Sequence, residues 1–332
     1  MTPPARTPLV SVVIPTYRRP PLLLRCLRAV LVQMFDAGPF EVIVVDDGLD
    51  EATRQAVESL RPEVPAWVSL RYLRPASGRG PAVARNAGWR AAVAPLIAFT
   101  DDDTIPDPMW LAAGTAAMER APDWAAACGQ VLVPPLTVPP TDHERMTQGL
   151  ASAEFVTANA FVRTAALRQI DGFDERFLRA WREDSDLQFR LMRDVGPVGR
   201  ASNAIVQHPV RPESWGVCLR QQRNTFFDAL LYKKHPKLYR ERIRPVPPWD
   251  YYLIVVLALA APVLGLAGSG TAAAACAAIA CALVLRLAWR RLRGTAHTPA
   301  HVLEMLVTSA LIPFLSVYWR VRGALRFRVL FL

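Results

Sequence analysis

The chain has 332 residues, of which 52% are hydrophobic and 20% charged, and its formal net charge is +10. This composition can bury a full core, which excludes a chain dominated by disorder. The five cysteines form no C-x-x-C pair and no zinc-type spacing, which argues against a disulfide scaffold and favours reduced thiols in a cytoplasm-facing protein.

Most of the positive charge lies in the last third of the chain. Residues 240–332 contain eleven Lys or Arg and only three Asp or Glu. Basic residues beside apolar runs predict contact with an anionic membrane surface. The first 240 residues show no basic and aromatic pattern of a nucleic-acid module, so we expect no nucleic-acid partner.

The first hundred residues alternate short apolar runs with helical patterns. After a Pro-rich tail at 1–8, the predicted strands are 9–14, the β-branched run within 41–48, 68–73 and 95–100, and the predicted helices are 22–35, 51–60 and 82–93. This alternation predicts an α/β fold, with a mostly parallel sheet and helices on both faces. The first strand-to-helix turn lacks G-x-G-x-x-G, which disfavours a dinucleotide-binding fold.

Polar residues follow three of these strands, at 16–18, 46–48 and 101–103. In an open α/β sheet the ligand binds outside the carboxyl ends of the strands. The triplet Asp101–Asp103 places three carboxylates together, and their repulsion costs stability unless a cation is bound. Mg²⁺ and Mn²⁺ bind few protein carboxylates together with phosphate oxygens, so the triplet predicts a metal site. The alternative is a solvated loop that caps the next helix.

A second acidic pair, Glu183 and Asp184, falls at the start of a predicted helix, close to Trp181. By itself such a pair is typical of a helix N-terminus, where the helix dipole favours acids. Its combination with the aspartate triplet, about eighty residues earlier, favours two separate acidic sites in one enzyme.

The last third of the chain contains long apolar stretches. Residues 251–267 carry no charge and would form a helix about 26 Å long, close to the hydrocarbon thickness of a bilayer. A second predicted span covers 271–288, and the alternative is a buried soluble hairpin. Arginines lie before the first span and after the second, so the positive-inside rule places the large domain in the cytoplasm. The third apolar helix, 302–319, is expected to be interfacial or re-entrant, or else a third span.

Six segments carry a resemblance to a known family. In chain order they are Val13–Arg18, Val45–Gly48, Gly80–Gly88, Phe99–Asp103, Gly172–Arg176 and Glu183–Leu187. Their order, over about residues 9–215, resembles a family 2 glycosyltransferase with the GT-A fold, of the membrane-anchored bacterial type. The resemblance implies a glycosyltransferase domain at 9–240, and the apolar stretches after it predict a C-terminal membrane region at 249–332.

The resemblance also implies roles for individual residues. Asp184 matches the catalytic base, with Glu183 beside it, and Asp103 matches a ligand of a divalent metal, Mn²⁺ or Mg²⁺, with Asp101 and His208 as further metal ligands. The residues implied to bind the nucleotide sugar are Pro15, Thr16, Tyr17, Asp46, Asp47, Arg85, Asn86, Asp101 and Asp102.

Three residues are candidates for the acceptor side, namely Trp181, Arg220 and Arg223. The segment 220–224 resembles the Q-x-x-R-W segment of processive synthases, but Asn224 replaces the Trp, which favours transfer of a single sugar. The alternative for the two arginines is an exposed helix face.

These features together predict an inverting glycosyltransferase. A cation neutralises the departing diphosphate, and one carboxylate takes the proton of the acceptor hydroxyl. Two other interpretations are a different nucleotide-using transferase or phosphatase, whose motifs are incomplete here, and a membrane-anchored nucleotide-sugar-binding scaffold with little catalysis. The expected partners are a nucleotide-sugar donor, membrane lipids and a lipid-linked or membrane-proximal acceptor. We expect a multi-pass protein of the inner membrane, with a cytoplasmic catalytic domain that acts in cell-envelope glycan or glycolipid synthesis.

Overall fold

The computed structural model describes residues 7–331, so the first six residues of the predicted tail lie outside the described residues. In chain order the strands and helices are β1 (Val10–Thr16), α1 (Pro20–Leu31), β2 (Phe40–Asp46), α2 (Glu51–Ser59), β3 (Val68–Leu73), α3 (Pro81–Ala91), β4 (Leu96–Thr100), β5 (Ile105–Pro106), α4 (Trp110–Arg120), β6 (Ala126–Leu132), α5 (Asp142–Gln148), β7 (Asn159–Arg163), α6 (Thr164–Gln169), α7 (Glu183–Asp194), β8 (Val198–Gln207), α8 (Val217–Gln221), α9 (Thr225–Lys234), α10 (Pro236–Leu238), α11 (Trp249–Leu266), α12 (Gly270–Leu292) and α13 (Pro299–Phe327).

The described chain forms two compact units. The first extends up to Pro134 and resumes at Gln148–Pro209, and the second comprises Pro135–Thr147 and the chain from Val210 onward. The second unit therefore includes α8 and α9, which pack against α13.

The first unit is built on a mixed sheet. Its eight strands lie in the order β3-β2-β1-β4-β7-β6-β8-β5. Strands β1 to β4 are mutually parallel, whereas β7 pairs antiparallel with both β4 and β6. This confirms the predicted α/β class with a GT-A-like sheet.

Hydrophobic patterning explains the parallel half of this sheet. All seven residues of β2 are buried, as expected for a parallel strand that is covered on both faces. Helix α1 begins at Pro20, which is favourable in the first helical turn, and buries one apolar face that includes Leu23, Leu27 and Val30.

The sheet brings the predicted polar strand ends to one edge. Thr16, the last residue of β1, lies opposite Asp46, the last residue of β2. Strand β4 runs parallel to β1 and ends at Thr100, directly before the aspartate triplet. The expectation that these polar residues share one edge of the sheet is confirmed.

The second unit is helical. Helices α11 and α12 pack together as a hairpin and overlap the predicted spans at 251–267 and 271–288, whose crossing of a membrane stays a prediction. Helix α13 is longer than the predicted 302–319, since it continues through Pro313 and ends only at Phe327. In the described chain these three helices are long and apolar enough to cross a membrane, which indicates membrane association.

Candidate active site

A buried arginine joins the two acidic clusters that the sequence singled out. Arg85 donates from Nη2 to Asp101 Oδ1 at 2.8 Å and from Nη1 to Glu183 Oε1 at 3.1 Å. The Arg85 side chain is only 3% exposed, whereas that of Asp101 is 27% exposed. One guanidinium therefore holds the loop after β4 beside the first turn of α7, although 98 residues separate Arg85 from Glu183 in the chain.

The position of Arg85 is set by the start of α3. Gly80 precedes this helix with φ +111°, and a Cβ atom there would lie 3.1 Å from the carbonyl oxygen of Leu178. The Gly80 amide donates to both carboxylate oxygens of Asp47 at 2.9 Å. The loop after β2 thus anchors the helix that carries Arg85.

Asp101, Asp103 and His208 form a group that can hold a metal ion. Each offers one ligand atom, and these atoms all lie within 4.8 Å of one another. His208 Nε2 is 3.4 Å from Asp103 Oδ1, and the His208 amide donates to the carbonyl of Leu132 at 2.8 Å. Carboxylate oxygens and an imidazole nitrogen suit a small divalent ion such as Mn²⁺.

The middle aspartate of the triplet faces a different partner. Asp102 accepts a 2.7 Å hydrogen bond from the Thr16 hydroxyl and a longer one from Arg19 at 3.4 Å. Burial, reinforced by the neighbouring charge of Asp103, raises the pKa of Asp102 to about 6. Asp102 therefore connects the end of β1 to the loop after β4 through a side-chain hydrogen bond.

The two acids at the start of α7 differ in burial. Glu183 is buried against Arg85, whereas Asp184 is partly exposed. Burial, together with the charge of Asp184, raises the pKa of Glu183 to about 8 despite Arg85. Burial also raises the pKa of Asp184, and the amide of Ser185, which donates to Asp184 Oδ1 at 2.7 Å, works against that rise.

The residue before this pair has an unusual backbone conformation. Arg182 adopts φ +75°, a left-handed conformation that L-residues with side chains rarely occupy. Its guanidinium carbon lies 4.5 Å from the centre of the Trp181 ring. Such conformations concentrate at functional sites, because the surrounding structure must hold them in place.

The two aspartates after β2 differ in what they contact. Asp46 is fully buried and accepts hydrogen bonds from the amides of Gly48 and Asp50 and, at 2.6 Å, from the Tyr72 hydroxyl. Asp47 is partly exposed. The contacts of Asp46 shape the turn after β2, and both carboxylate oxygens of Asp47 accept from the Gly80 amide, so the predicted contact of either aspartate with the nucleotide stays a prediction.

Asn86 lies one residue after Arg85 and makes four hydrogen bonds. Its amide oxygen accepts from the Phe173 amide and the Trp89 indole, and its amide nitrogen donates to the Phe173 carbonyl and to Glu175. These contacts join α3 to the segment around Gly172. The predicted contact of Asn86 with the ribose or diphosphate stays a prediction.

The remaining predicted residues fall in both units. Pro15 and Tyr17 flank Thr16 at the end of β1, and the Tyr17 side chain is exposed. Arg220 and Arg223 belong to the second unit, where Arg220 is exposed and donates to the Ser214 hydroxyl at 2.8 Å. Their predicted acceptor role stays a prediction.

Sequence reasoning missed Arg19. Its Nη1 lies 3.4 Å from Asp102 and 3.8 Å from Asp103, and its side chain is 39% exposed. The position of an arginine in the turn between β1 and α1, three residues after Thr16, could have suggested a role at this site. Only the tertiary contact shows that the Arg19 side chain faces the triplet.

Comparison with solved structures agrees with the fold. A mannosyltransferase from Pyrobaculum calidifontis, PcManGT, solved in complex with GDP-Man and Mn²⁺, superimposes with a TM-score of 0.60 at 19% identity. The match covers 95% of this chain and 88% of that one.

Curated relatives are glycosyltransferases. Validoxylamine A glucosyltransferase of Streptomyces hygroscopicus subsp. jinggangensis is 29% identical over 251 residues, which is 64% of this chain and 56% of the relative. Glycosyltransferase AglE of Haloferax volcanii is 33% identical over 111 residues, which is 33% of this chain and 36% of the relative. The chain thus spans about half the length of the former and about a third of the latter.

Two sequence profiles cover most of the chain. The profile described as glycosyl transferase family 2 matches residues 11–177, and that described as glycosyl transferase family group 2 matches residues 96–319. The first match contains Arg85 and the aspartate triplet, and the second contains the acid pair and His208. The chain belongs to glycosyl transferase family 2.

Proposed function

We propose that this enzyme transfers one sugar from a nucleotide-diphosphate sugar to an acceptor hydroxyl, with inversion at the anomeric carbon. The observation that carries the proposal is the double contact of Arg85 with Asp101 and Glu183. One guanidinium thereby contacts both the group of Asp101, Asp103 and His208, which can hold a metal ion, and the acid pair of Glu183 and Asp184. Cleavage of the bond to the diphosphate and deprotonation of the acceptor need two such separate acidic sites.

The donor binds at the carboxyl edge of β1, β2 and β4. A divalent cation, Mn²⁺ or Mg²⁺, held by Asp101, Asp103 and His208, would supply Lewis-acid stabilisation of the departing diphosphate. A neighbour of the same fold was solved with Mn²⁺, in keeping with this assignment. Arg19, close to Asp102 and Asp103, adds positive charge at the same place.

Asp184 acts as the base. Its partly exposed carboxylate accepts the proton of the acceptor hydroxyl while the oxygen attacks the anomeric carbon and the bond from that carbon to the diphosphate breaks. Burial raises the pKa of both acids of the pair, which favours a shared proton, and Arg85 beside Glu183 works against the rise at that residue. Attack from the side opposite the leaving group gives inversion.

The acceptor is lipid-linked or close to a membrane. Helices α11 and α12 are exposed over most of their length, as expected for a hairpin that lies in lipid. Arginines precede α11 and lie in and just after the last turns of α12, so by the positive-inside rule we expect these two ends and the catalytic domain in the cytoplasm. A membrane-impermeant thiol reagent should label a cysteine placed at Ser269 from outside intact cells, and protection of that cysteine would contradict the orientation.

The decisive experiment supplies the membrane-embedded protein with radiolabelled UDP-, GDP- and dTDP-sugars, Mn²⁺ and a native lipid extract. We expect one donor to yield a labelled product that is absent with the Asp184→Asn variant, and its anomeric configuration should be opposite to that of the donor. Retained configuration would contradict the single displacement. A thermal shift with a donor but no product in any extract would favour the non-catalytic scaffold.

A further inference from the structure

Helix α13 has two faces of opposite character. Eight large side chains form one stripe along the helix and are 37% to 74% exposed. The members of this outer stripe are Leu303, Leu306, Val307, Leu311, Phe314, Tyr318, Val321 and Leu325. None of them is charged, so the outer stripe is an apolar surface more than 30 Å long at about 1.5 Å per residue.

The opposite, inner face of α13 is buried and rich in polar groups. Thr308 and Ser309 both accept hydrogen bonds from Arg291, at 2.8 and 3.0 Å. Arg320 is 3% exposed and lies 3.5 Å from Asp228. A helix on a water-soluble protein buries its apolar stripe and exposes its polar face. The reverse arrangement in α13 indicates an apolar medium around its outer stripe.

The partner of the inner face is the segment of residues 216–234, which includes α8 and α9 and combines apolar with charged side chains. Near the N-terminus of α13, Glu304 accepts a 2.7 Å hydrogen bond from the Gly216 amide, and at its C-terminus the carbonyl of Phe327 accepts from Lys233 at 2.7 Å. The segment therefore runs along almost the whole helix. It also carries exposed charges, among them Arg220 and Arg223. If α13 crossed a bilayer, these charges would have to enter the hydrocarbon beside it, at a high energetic cost.

Helix α13 contacts the α11–α12 hairpin near the open end of the hairpin, opposite its turn. Ile254 is the one residue of α11 that is fully buried, and the contact of α12 with Thr308 and Ser309 is made by Arg291, next to the end of that helix. Three exposed aromatic side chains, Trp249, Trp289 and Tyr318, lie at the same end of the hairpin or on the outer stripe. Trp and Tyr are enriched where a membrane protein passes from hydrocarbon to water.

From these contacts we infer that α13 lies in the plane of the membrane, at the surface of the leaflet where the hairpin begins and ends. Its outer stripe is buried among the upper acyl chains, and its inner face holds the 216–234 segment on the water side. Arg286 and Arg290, near the end of α12, lie at the level of the lipid headgroups. The inference rests on the membrane attachment proposed above and is independent of the sugar-transfer chemistry.

Depth measurements on the full-length protein in phosphatidylcholine–phosphatidylglycerol vesicles test this placement. Cys276 and Cys281, the cysteines that are not fully buried, are first replaced by Ala. A fluorescent label is then attached to single cysteines at Leu303, Leu311, Tyr318 or Leu325, and quenched by lipids that carry a spin label high or low on the acyl chain. Val256 and Ile279, exposed residues inside the hairpin, are the matched controls.

The in-plane arrangement predicts that the shallow quencher is the stronger one at all four stripe positions, with depths that agree within about one helical turn, about 5 Å. The two hairpin positions should instead respond more strongly to the deep quencher. A depth that changes steadily from Leu303 to Leu325 would overturn the in-plane placement of α13, and so would stripe labels that remain in water while the hairpin labels lie deep in the bilayer. Either result would leave the membrane attachment by the hairpin intact. Labels that escape both quenchers in the stripe and in the hairpin would overturn the attachment as well.

Discussion

Each unit buries an arginine against acidic side chains, and the two arrangements differ in what they leave accessible. Arg85 contacts Asp101 and Glu183. Asp101, a member of the group that can hold a metal ion, remains 27% exposed. Arg320 contacts Asp228, and both side chains are almost fully buried, at 3% and 4% exposed. The first arginine organises groups that a substrate can reach, whereas the second joins α13 to α9.

This difference indicates that a buried charge marks a functional site only when the side chains that pair with it are accessible to a ligand. A closed ion pair contributes to packing and to the register of two helices, and removing one member leaves the other charge uncompensated. Substitutions can therefore distinguish the two arginines. Changes at Arg85 should affect sugar transfer itself, whereas changes at Arg320 should affect folding alone.

The largest effect is expected for Asp184→Asn. The amide cannot accept the acceptor proton, so turnover should fall by about 10³-fold or more, within the range typical of a lost general base. Affinity for the donor should stay within a few-fold, as measured by calorimetry. Unchanged turnover would exclude Asp184 as the base.

A somewhat smaller effect is expected for Asp103→Ala, which removes one carboxylate of the metal-type group. We expect Mn²⁺-dependent donor affinity to fall by about 10²-fold or more, since even outer-shell changes at metal sites cost 10- to 100-fold. Calorimetry with Mn²⁺ and with EDTA measures this effect. Equal affinities for the wild type in the two conditions would argue against a metal role.

Arg85→Met and Arg320→Met test whether the two buried arginines differ in function. Arg85→Met removes the cation that contacts both Asp101 and Glu183, and Arg320→Met leaves Asp228 buried without its cation, so both should lower the free energy of unfolding, by about 3–5 kcal/mol for Arg320→Met. Only Arg85→Met should also reduce turnover per folded molecule, because only Arg85 holds the two acidic clusters together.

A matched control for these variants is Arg90→Ala. Arg90 pairs with Asp171 and Glu175 on the surface, so its loss should cost less than about 1 kcal/mol. Thermal unfolding and assays normalised to folded protein distinguish the variants, and a turnover loss for Arg320→Met equal to that of Arg85→Met would break the comparison.

The smallest effect on turnover is expected for Glu183→Gln, because glutamine resembles the protonated carboxyl group. The folded protein holds the Glu183 proton up to a pKa of about 8, whereas the unfolded chain releases it near the ordinary value of 4.5. The free energy of unfolding of the wild type should therefore decline as pH rises from about 4.5 to about 8. Unfolding at several pH values should show a weaker decline in the variant, and an identical pH dependence would contradict a protonated Glu183.

Much of the fold could be predicted from local patterns. The buried runs of β1, β2 and β4 alternate with amphipathic helices, and this period is a property of neighbouring residues. The hairpin of α11 and α12 was predicted for the same reason, since seventeen uncharged residues are visible without any tertiary contact. The antiparallel placement of β7 between β4 and β6 was not predicted, because pairing partners distant in sequence leave no local period.

The candidate site was predicted in part. The resemblance of the motifs pointed to Asp101–Asp103, Asp184 and Arg85, yet it could not tell which groups touch. Arg19 was missed, and the difference between buried Asp46 and partly exposed Asp47 was not foreseen. Both depend on side-chain direction and burial, which adjacent residues of similar chemistry do not reveal.

By itself, the sequence determined the family, the α/β alternation, the acidic clusters and the apolar C-terminal helices, because these follow from residue type and spacing along the chain. Tertiary structure alone decided that Arg85 joins the clusters, that Glu183 is more deeply buried than Asp184, and that α13 buries its polar face. These outcomes depend on contacts between segments that are tens of residues apart, and the free energy of such contacts is set by burial and charge at the meeting point.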